Sequence, residues 1–224
     1  MENAKQKGTL CAVLKKELFL STHPALYLFA LLGLMTLIPS YPSIVGIGYV
    51  VLAVLQADGV RRANKDLEFT LLLPVKRSFV VVGKSLFVIA IELLTLVFAA
   101  IGAVLAFIIS PAGNIASIDP NFAFFGIALI CLGIYNAIYI SGFFKTGYKT
   151  GLPTLFGTLG FLAFYTVAEL VVNLVPTLIT TIDGYGANGF IARLIVFIVG
   201  LAVYALLTIL GIRAGQKNFE KVSL

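Results

Sequence analysis

Residues Phe87 to Ile109 read "FVIAIELLTLVFAAIGAVLAFII", and the fold turns on how this stretch is read. A strand of a membrane barrel alternates apolar and polar residues over about 10 positions, whereas nearly every position here is apolar and Glu92 is its one charge. At about 1.5 Å of rise per residue, a helical run of this length covers roughly 35 Å, enough for a hydrocarbon core of about 30 Å. It reads as a membrane-spanning helix.

The same composition extends outward in both directions. The chain has 224 residues, 60% of them hydrophobic and 12% charged, and its mean hydropathy is +1.05. Soluble domains are about 45–50% apolar and about 25% charged, so this is a membrane chain. Charges, prolines and glycines mark off six spans, at about 24–38, 43–60, 85–109, 121–144, 152–175 and 190–212, within one membrane domain over 1–224. Ahead of them, Leu10, Val13, Leu14 and Leu18 recur at helical spacing with Lys15 and Lys16 on another face; Glu17 interrupts the stripe. That pattern predicts an interfacial helix over 9–21. No small-residue cleavage site follows the first apolar run, so the N-terminal segment is expected to be retained. The expected fold is an all-α integral membrane protein of six transmembrane helices.

Basic residues set the orientation, because Lys and Arg stay on the cytoplasmic side. Lys5, Lys7, Lys15 and Lys16 precede the first span; Arg61, Arg62, Lys65, Lys76, Arg77 and Lys84 follow the second. Lys145 and Lys149 follow the fourth, and Arg213, Lys217 and Lys221 the sixth. Only Arg193 falls near the opposite side, which predicts that both termini are cytoplasmic. The net charge of +6 then answers to anionic lipid headgroups, and nucleic acid is not an expected partner.

Several chemistries are excluded. His23 is the only histidine and precedes Pro24, so it reads as a helix start and rules out a His-based triad or a multi-histidine metal site. Cys11 and Cys131 have no Cys or His at ligand spacing and read as small apolar fillers. Gly83-Lys84-Ser85 ends like a phosphate-binding loop, but such a loop needs a glycine where Ser78 stands. No bound cofactor, no metal and no enzymatic activity are expected of this chain.

The longest cytoplasmic connection runs from Arg61 to Lys84. Within it, Asn64 to Leu72 predicts a short helix with Leu67 and Leu71 on one face, stopped by Pro74. Apolar residues offered to the cytoplasm need a membrane surface or a protein to cover them. The adjoining stretch Leu73 to Leu86, "LPVKRSFVVVGKSL", resembles the Leu-Pro-Val-x-Arg, six residues, Lys pattern that follows the second span of type-2 ABC transporter permeases. Leu73, Pro74, Val75, Arg77, Gly83 and Lys84 fall on that pattern without a gap.

The resemblance implies the membrane subunit of an ATP-driven exporter, paired with a second permease chain as a homo- or heterodimer. ATP and Mg would be held by a separate ATP-binding-cassette ATPase subunit. The segment Arg61 to Leu72 would be the coupling helix that docks in that subunit, and Arg61, Arg62, Asp66, Leu67, Phe69, Leu71, Pro74 and Arg77 would form the coupling set. Lys84 would snorkel to the headgroups at the start of the third span. The expected cargo is a peptide or other amphipathic compound moved out of the cell. The rival readings are a secondary transporter, which usually shows an inverted repeat and broken helices, or another polytopic membrane protein without an ATPase; no half-to-half similarity is visible here.

Ionisable residues inside the membrane need a partner, water or a function. Glu92 has no evident partner at its depth, and is expected either to face a wet cavity on the substrate pathway or to bond a Ser, Thr or Tyr of a neighbouring helix. Glu169 and Arg193 lie at matching depth near the outer side, which predicts a structural ion pair, against the alternative that Arg193 snorkels outward. Small residues at Ala99, Gly102, Ala103, Ala106, Gly157 and Gly160 permit close helix approach, within the chain or between subunits. The outer segment 176–188 reads as a re-entrant turn, with a gate expected around Leu178 to Ile182.

Overall fold

The computed structural model describes residues 16–17, 24–72, 75–110 and 113–222. Pro74 and most of the predicted interfacial helix over 9–21 lie outside the described residues. In chain order the helices are α1 (Ala25–Leu31) continued by a 3-10 helix (Leu32–Leu37), α2 (Ser43–Ala63), α3 (Asp66–Leu72) and α4 (Arg77–Ile109). After these come α5 (Phe122–Lys145), α6 (Gly151–Leu174), α7 (Pro176–Ile182) and α8 (Phe190–Glu220). Five of them, α2, α4, α5, α6 and α8, are long and apolar enough to cross a membrane, and Ala25–Leu37 is a shorter apolar helix.

The first predicted span is thus the odd one. A 3-10 turn rises about 2 Å per residue, so the α and 3-10 portions together reach roughly 22 Å, short of a full hydrocarbon core. Thr36 binds this segment to its surroundings: its hydroxyl donates to Ala99 O at 2.8 Å and, one 3-10 turn back, to Gly33 O at 3.1 Å. Gly102 packs against the backbone of Leu34, where an added Cβ would stand 2.9 Å from the carbonyl oxygen.

Local chemistry sets the other boundaries. The Asn121 side chain accepts from the backbone N–H groups of Ala123 and Phe124 at 2.8 and 3.2 Å and so caps α5. Pro176 holds Val175 in an extended conformation (φ −105°, ψ 104°), which separates α6 from α7. α4 starts at Arg77, eight residues before the predicted span, and at 33 residues is roughly 50 Å long. Gly83-Lys84-Ser85 therefore lies inside a continuous helix, whose amides bond to the preceding turn rather than curling around a phosphate.

α5 is the axis of the bundle, with 72% of its most apolar stretch buried, against 22% for α6 and for α8. α8 lies against it along a seam of small residues. A Cβ on Gly126 would meet Val196 O at 2.5 Å, one on Gly133 would meet Tyr204 Cα at 3.0 Å, and one on Gly211 would meet Asn136 O at 2.8 Å. Gly157 and Gly160 of α6 face Tyr135, Ile134 and Ile138 of α5, so these glycines, with Gly102, serve packing inside the chain. The outward faces of α4, α6 and α8 present Val104, Ile108, Phe156, Leu159, Ile198 and Leu206, an apolar belt suited to lipid.

Candidate functional site

Asp58 lies one turn before the end of α2 and is 3% exposed. A carboxylate there demands partners, and three converge on it. Lys84 of α4 forms an ion pair with Oδ1, the Tyr139 hydroxyl of α5 donates to Oδ2, and Arg61 donates to Oδ1 at 3.2 Å from the next turn of α2. One side chain so joins three helices. Lys84 also faces the Phe143 ring at 4.7 Å and is 4% exposed, so it is an interior cation and not the snorkelling one that the resemblance implied.

The junction continues toward α3. The Arg61 guanidinium lies 4.0 Å from the Phe87 ring centroid and pairs with Glu17 at 2.9 Å. Lys16, next in sequence, pairs with Asp66 at 2.8 Å and donates to Thr70 at 2.6 Å. α3 is reached from α2 through Asn64 and a left-handed Lys65 (φ 49°). Beside the junction opens a cavity of about 170 Å³ lined by Arg62, Lys65, Thr70, Phe144 and Thr150 among others.

The predicted coupling residues are therefore distributed unevenly. Arg61 is buried and Arg62 exposed; Asp66 is half-buried on Lys16. Phe69 is 62% and Leu72 84% exposed, so α3 presents apolar surface outward. Leu67 and Leu71 lie on α3, their side chains outside the described residues. Arg77 donates to Val222 O at 2.9 Å and Phe219 O at 3.2 Å, fastening the start of α4 to the end of α8. In the α5–α6 turn, Gly147 and Tyr148 are both left-handed (φ 61° and 72°). The Tyr148 ring packs on Phe143 and Phe219 with centroids at 4.8 and 5.5 Å, and burial pushes its hydroxyl pKa up.

Glu92 lies two turns beyond Lys84 on α4 and is fully buried. Its Oε2 accepts from Tyr204 OH of α8 at 2.7 Å and from Asn136 Nδ2 of α5 at 2.9 Å; the same amide donates to Thr208 at 3.2 Å. Of the two expectations for Glu92, this arrangement is the bond to neighbouring helices, because three helices of one chain close around it and leave no face to water.

Glu169 and Arg193 are not joined by an ion pair. Arg193 instead donates to the carbonyls of Gly184 at 2.5 Å and Asn188 at 2.6 Å, and to that of Gly186. Glu169 accepts from Ile118 N at 3.1 Å. Both residues lie toward the same end of the bundle, but loop groups reach each of them before they can reach each other. Those loops knit an outer cap: Asp119 N donates to Asp183 at 2.9 Å, and Asn121 to Ile182 O at 2.8 Å. Burial raises the Asp119 pKa from its ordinary value and Asp183 adds to this, while hydrogen bonding from Asn114 and Gly184 and the Arg193 charge oppose it. α7, where a re-entrant gate was expected, is a seven-residue helix, and Ile182 at its end is buried under this cap.

Asp58, Tyr139, Asn136 and Tyr204 were missed as site residues. Asp58 alone left a signal, an acid within the apolar run 43–60 and three residues before Arg61. Among the described residues no group of His, Cys, Asp and Glu forms a metal centre. No curated protein and no solved structure matches the chain. The family model described as "ABC-2 family transporter protein" matches residues 11–214. With that match covering almost the whole of an all-helical, multi-span chain, the protein belongs to the ABC-2 transporter family and is a membrane-embedded transport subunit.

Proposed function

We propose that this chain is the permease half of an ATP-driven exporter, working beside a second permease chain, identical or related, and moved by separate ATPase subunits that hold ATP and Mg. Residues 25–37 complete a set of six membrane segments, and both termini face the cytoplasm. The cargo is a peptide or other amphipathic compound leaving the cell.

One observation carries this reading: α3 offers Phe69 and Leu72 outward at the end of the molecule that gathers the basic residues. A fully buried Phe or Leu side chain is worth about 1.5–3 kcal/mol relative to an exposed one, so these two residues gain by entering a cleft of a partner. Arg62, Asp66, Leu67, Leu71, Pro74 and Arg77 are the remaining members of the coupling surface or its support. Arg61 acts from inside, because its contacts with Glu17 and Asp58 join α3's anchor to α2, α4 and α5. A displacement of α3 on ATP binding is thereby passed to three helices at once. An apolar groove of about 520 Å³ between α2 and α6, lined by Val45, Tyr49, Leu52, Leu155 and Leu162, supplies a wall suited to an amphipathic cargo.

The test is co-expression with a candidate ATPase and purification through a tag on that subunit. Wild-type permease should co-purify, and Phe69→Asp should abolish the complex while the variant alone still elutes as a folded species. Equal recovery of Phe69→Asp in the complex would remove α3 as the docking element.

A further inference from the structure

The Glu92 cluster does not balance as a carboxylate. Asn136 has two N–H bonds, and both are engaged, one on Glu92 Oε2 and one on Thr208 Oγ1. The Tyr204 hydroxyl also donates to Oε2. No hydrogen bond reaches Glu92 Oε1 or Asn136 Oδ1, although both atoms are buried. Two acceptors are thus left without a protein donor in a junction closed to bulk solvent, at a cost of about 1–3 kcal/mol each.

Charge compounds the imbalance. No ion pair reaches Glu92 among the described residues. The groups around it are Tyr135 and Asn136 of α5, Tyr204 and Thr208 of α8, and Thr95 of α4, which turns back to Ile91 O. Tyr135 makes no hydrogen bond to the carboxyl. The nearest cation on its own helix, Lys84, is held by Asp58, and Asp58 and Arg61 of α2 are engaged with each other and with Lys84. An unpaired buried carboxylate costs several kcal/mol.

We propose that Glu92 is a proton-binding site: in the closed bundle it is the acid, and its Oε1–H donates to Oδ1 of Asn136. One proton then converts the two orphaned acceptors into a donor and its acceptor. The result is the paired N–H···O and O–H···O ring that an acid forms with a primary amide, and no net charge stays between the helices. Separation of α8 from α4 would take the Tyr204 donor from Oε2 and open the carboxyl to water, the condition under which it would ionise. Neither the cargo, the ATPase nor α3 takes part in this proton site.

The test is infrared spectroscopy of the full chain in dodecyl maltoside, a detergent without a carbonyl group, with and without carbonyl-13C glutamate. The expected result is a protonated-carboxyl band at neutral pH that shifts on glutamate labelling and is lost in Glu92→Gln. That variant should elute and melt like wild type, since its amide reproduces one acceptor and one donor. Glu92→Asp is the second variant: the band should persist there but no longer shift with labelled glutamate. Absence of a glutamate-dependent band in wild type, or its survival in Glu92→Gln, overturns the proposal.

Discussion

Replacing Asp58 by Asn leaves Lys84 and Arg61 inside the bundle without the carboxylate that faces both. All three side chains are buried, with Asp58 3%, Lys84 4% and Arg61 8% exposed, so water entering from the adjoining cavity compensates only in part. Removing one partner of a buried ion pair costs about 3–5 kcal/mol. In a chain of this length each kcal/mol moves Tm by about 2–4 °C, so Asp58→Asn should melt roughly 10 °C below wild type. Lys84→Met alone should also destabilise, by less, because the acid loses its closest cation but keeps Arg61 and the Tyr139 hydroxyl. The double variant Asp58→Asn/Lys84→Met has neither orphan and should recover several degrees, giving a coupling energy of about 2 kcal/mol or more. The assay is thermal unfolding followed by size-exclusion of the fluorescently tagged chain. Single variants that melt with wild type, or losses that add in the double variant, would refute the claim that Asp58 and Lys84 form the junction.

Three further outcomes follow from other parts of the molecule. Gly126→Val places a methyl-bearing Cβ against Val196 O, which a bundle packed to this density cannot absorb, so the full-length chain should be recovered at only a small fraction of wild-type yield. Arg193→Gln removes charge-assisted bonds to the 184–188 carbonyls and should destabilise by about 1.5–3 kcal/mol; with Glu169→Gln the effects should add within about 0.5 kcal/mol, because the two residues are not paired. For Asp119, whose folded pKa is raised by burial, the folded state binds the proton more tightly than the unfolded chain. Stability should therefore rise as pH falls from 7 through its folded value, and Asp119→Asn should flatten that part of the melting profile.

The sequence exposes the helices of this protein because their apolar runs exceed any soluble element, and it exposes several ends because Asn121 and Pro176 act locally. Where boundaries differ, the cause is a charge read as a membrane edge. Lys84 marked the start of a span, yet α4 continues through it to Arg77, since a lysine with a buried partner need not leave the helix or the bundle. The partner, Asp58, is 26 residues away, and Glu92 finds Tyr204 across 112. Such pairings depend on how helices are rotated about their axes, which hydropathy does not encode. Arg193 illustrates the other limit: loop carbonyls at 184, 186 and 188 hold it, and loop geometry precedes any depth argument.

The proposed grip of an ATPase on α3 is read out by pull-down on that subunit. Wild-type chain should be recovered with the tagged ATPase and Phe69→Asp and Leu72→Asp should not, while each variant alone keeps the wild-type elution position and Tm. Recovery of both variants at wild-type level in the complex would contradict it.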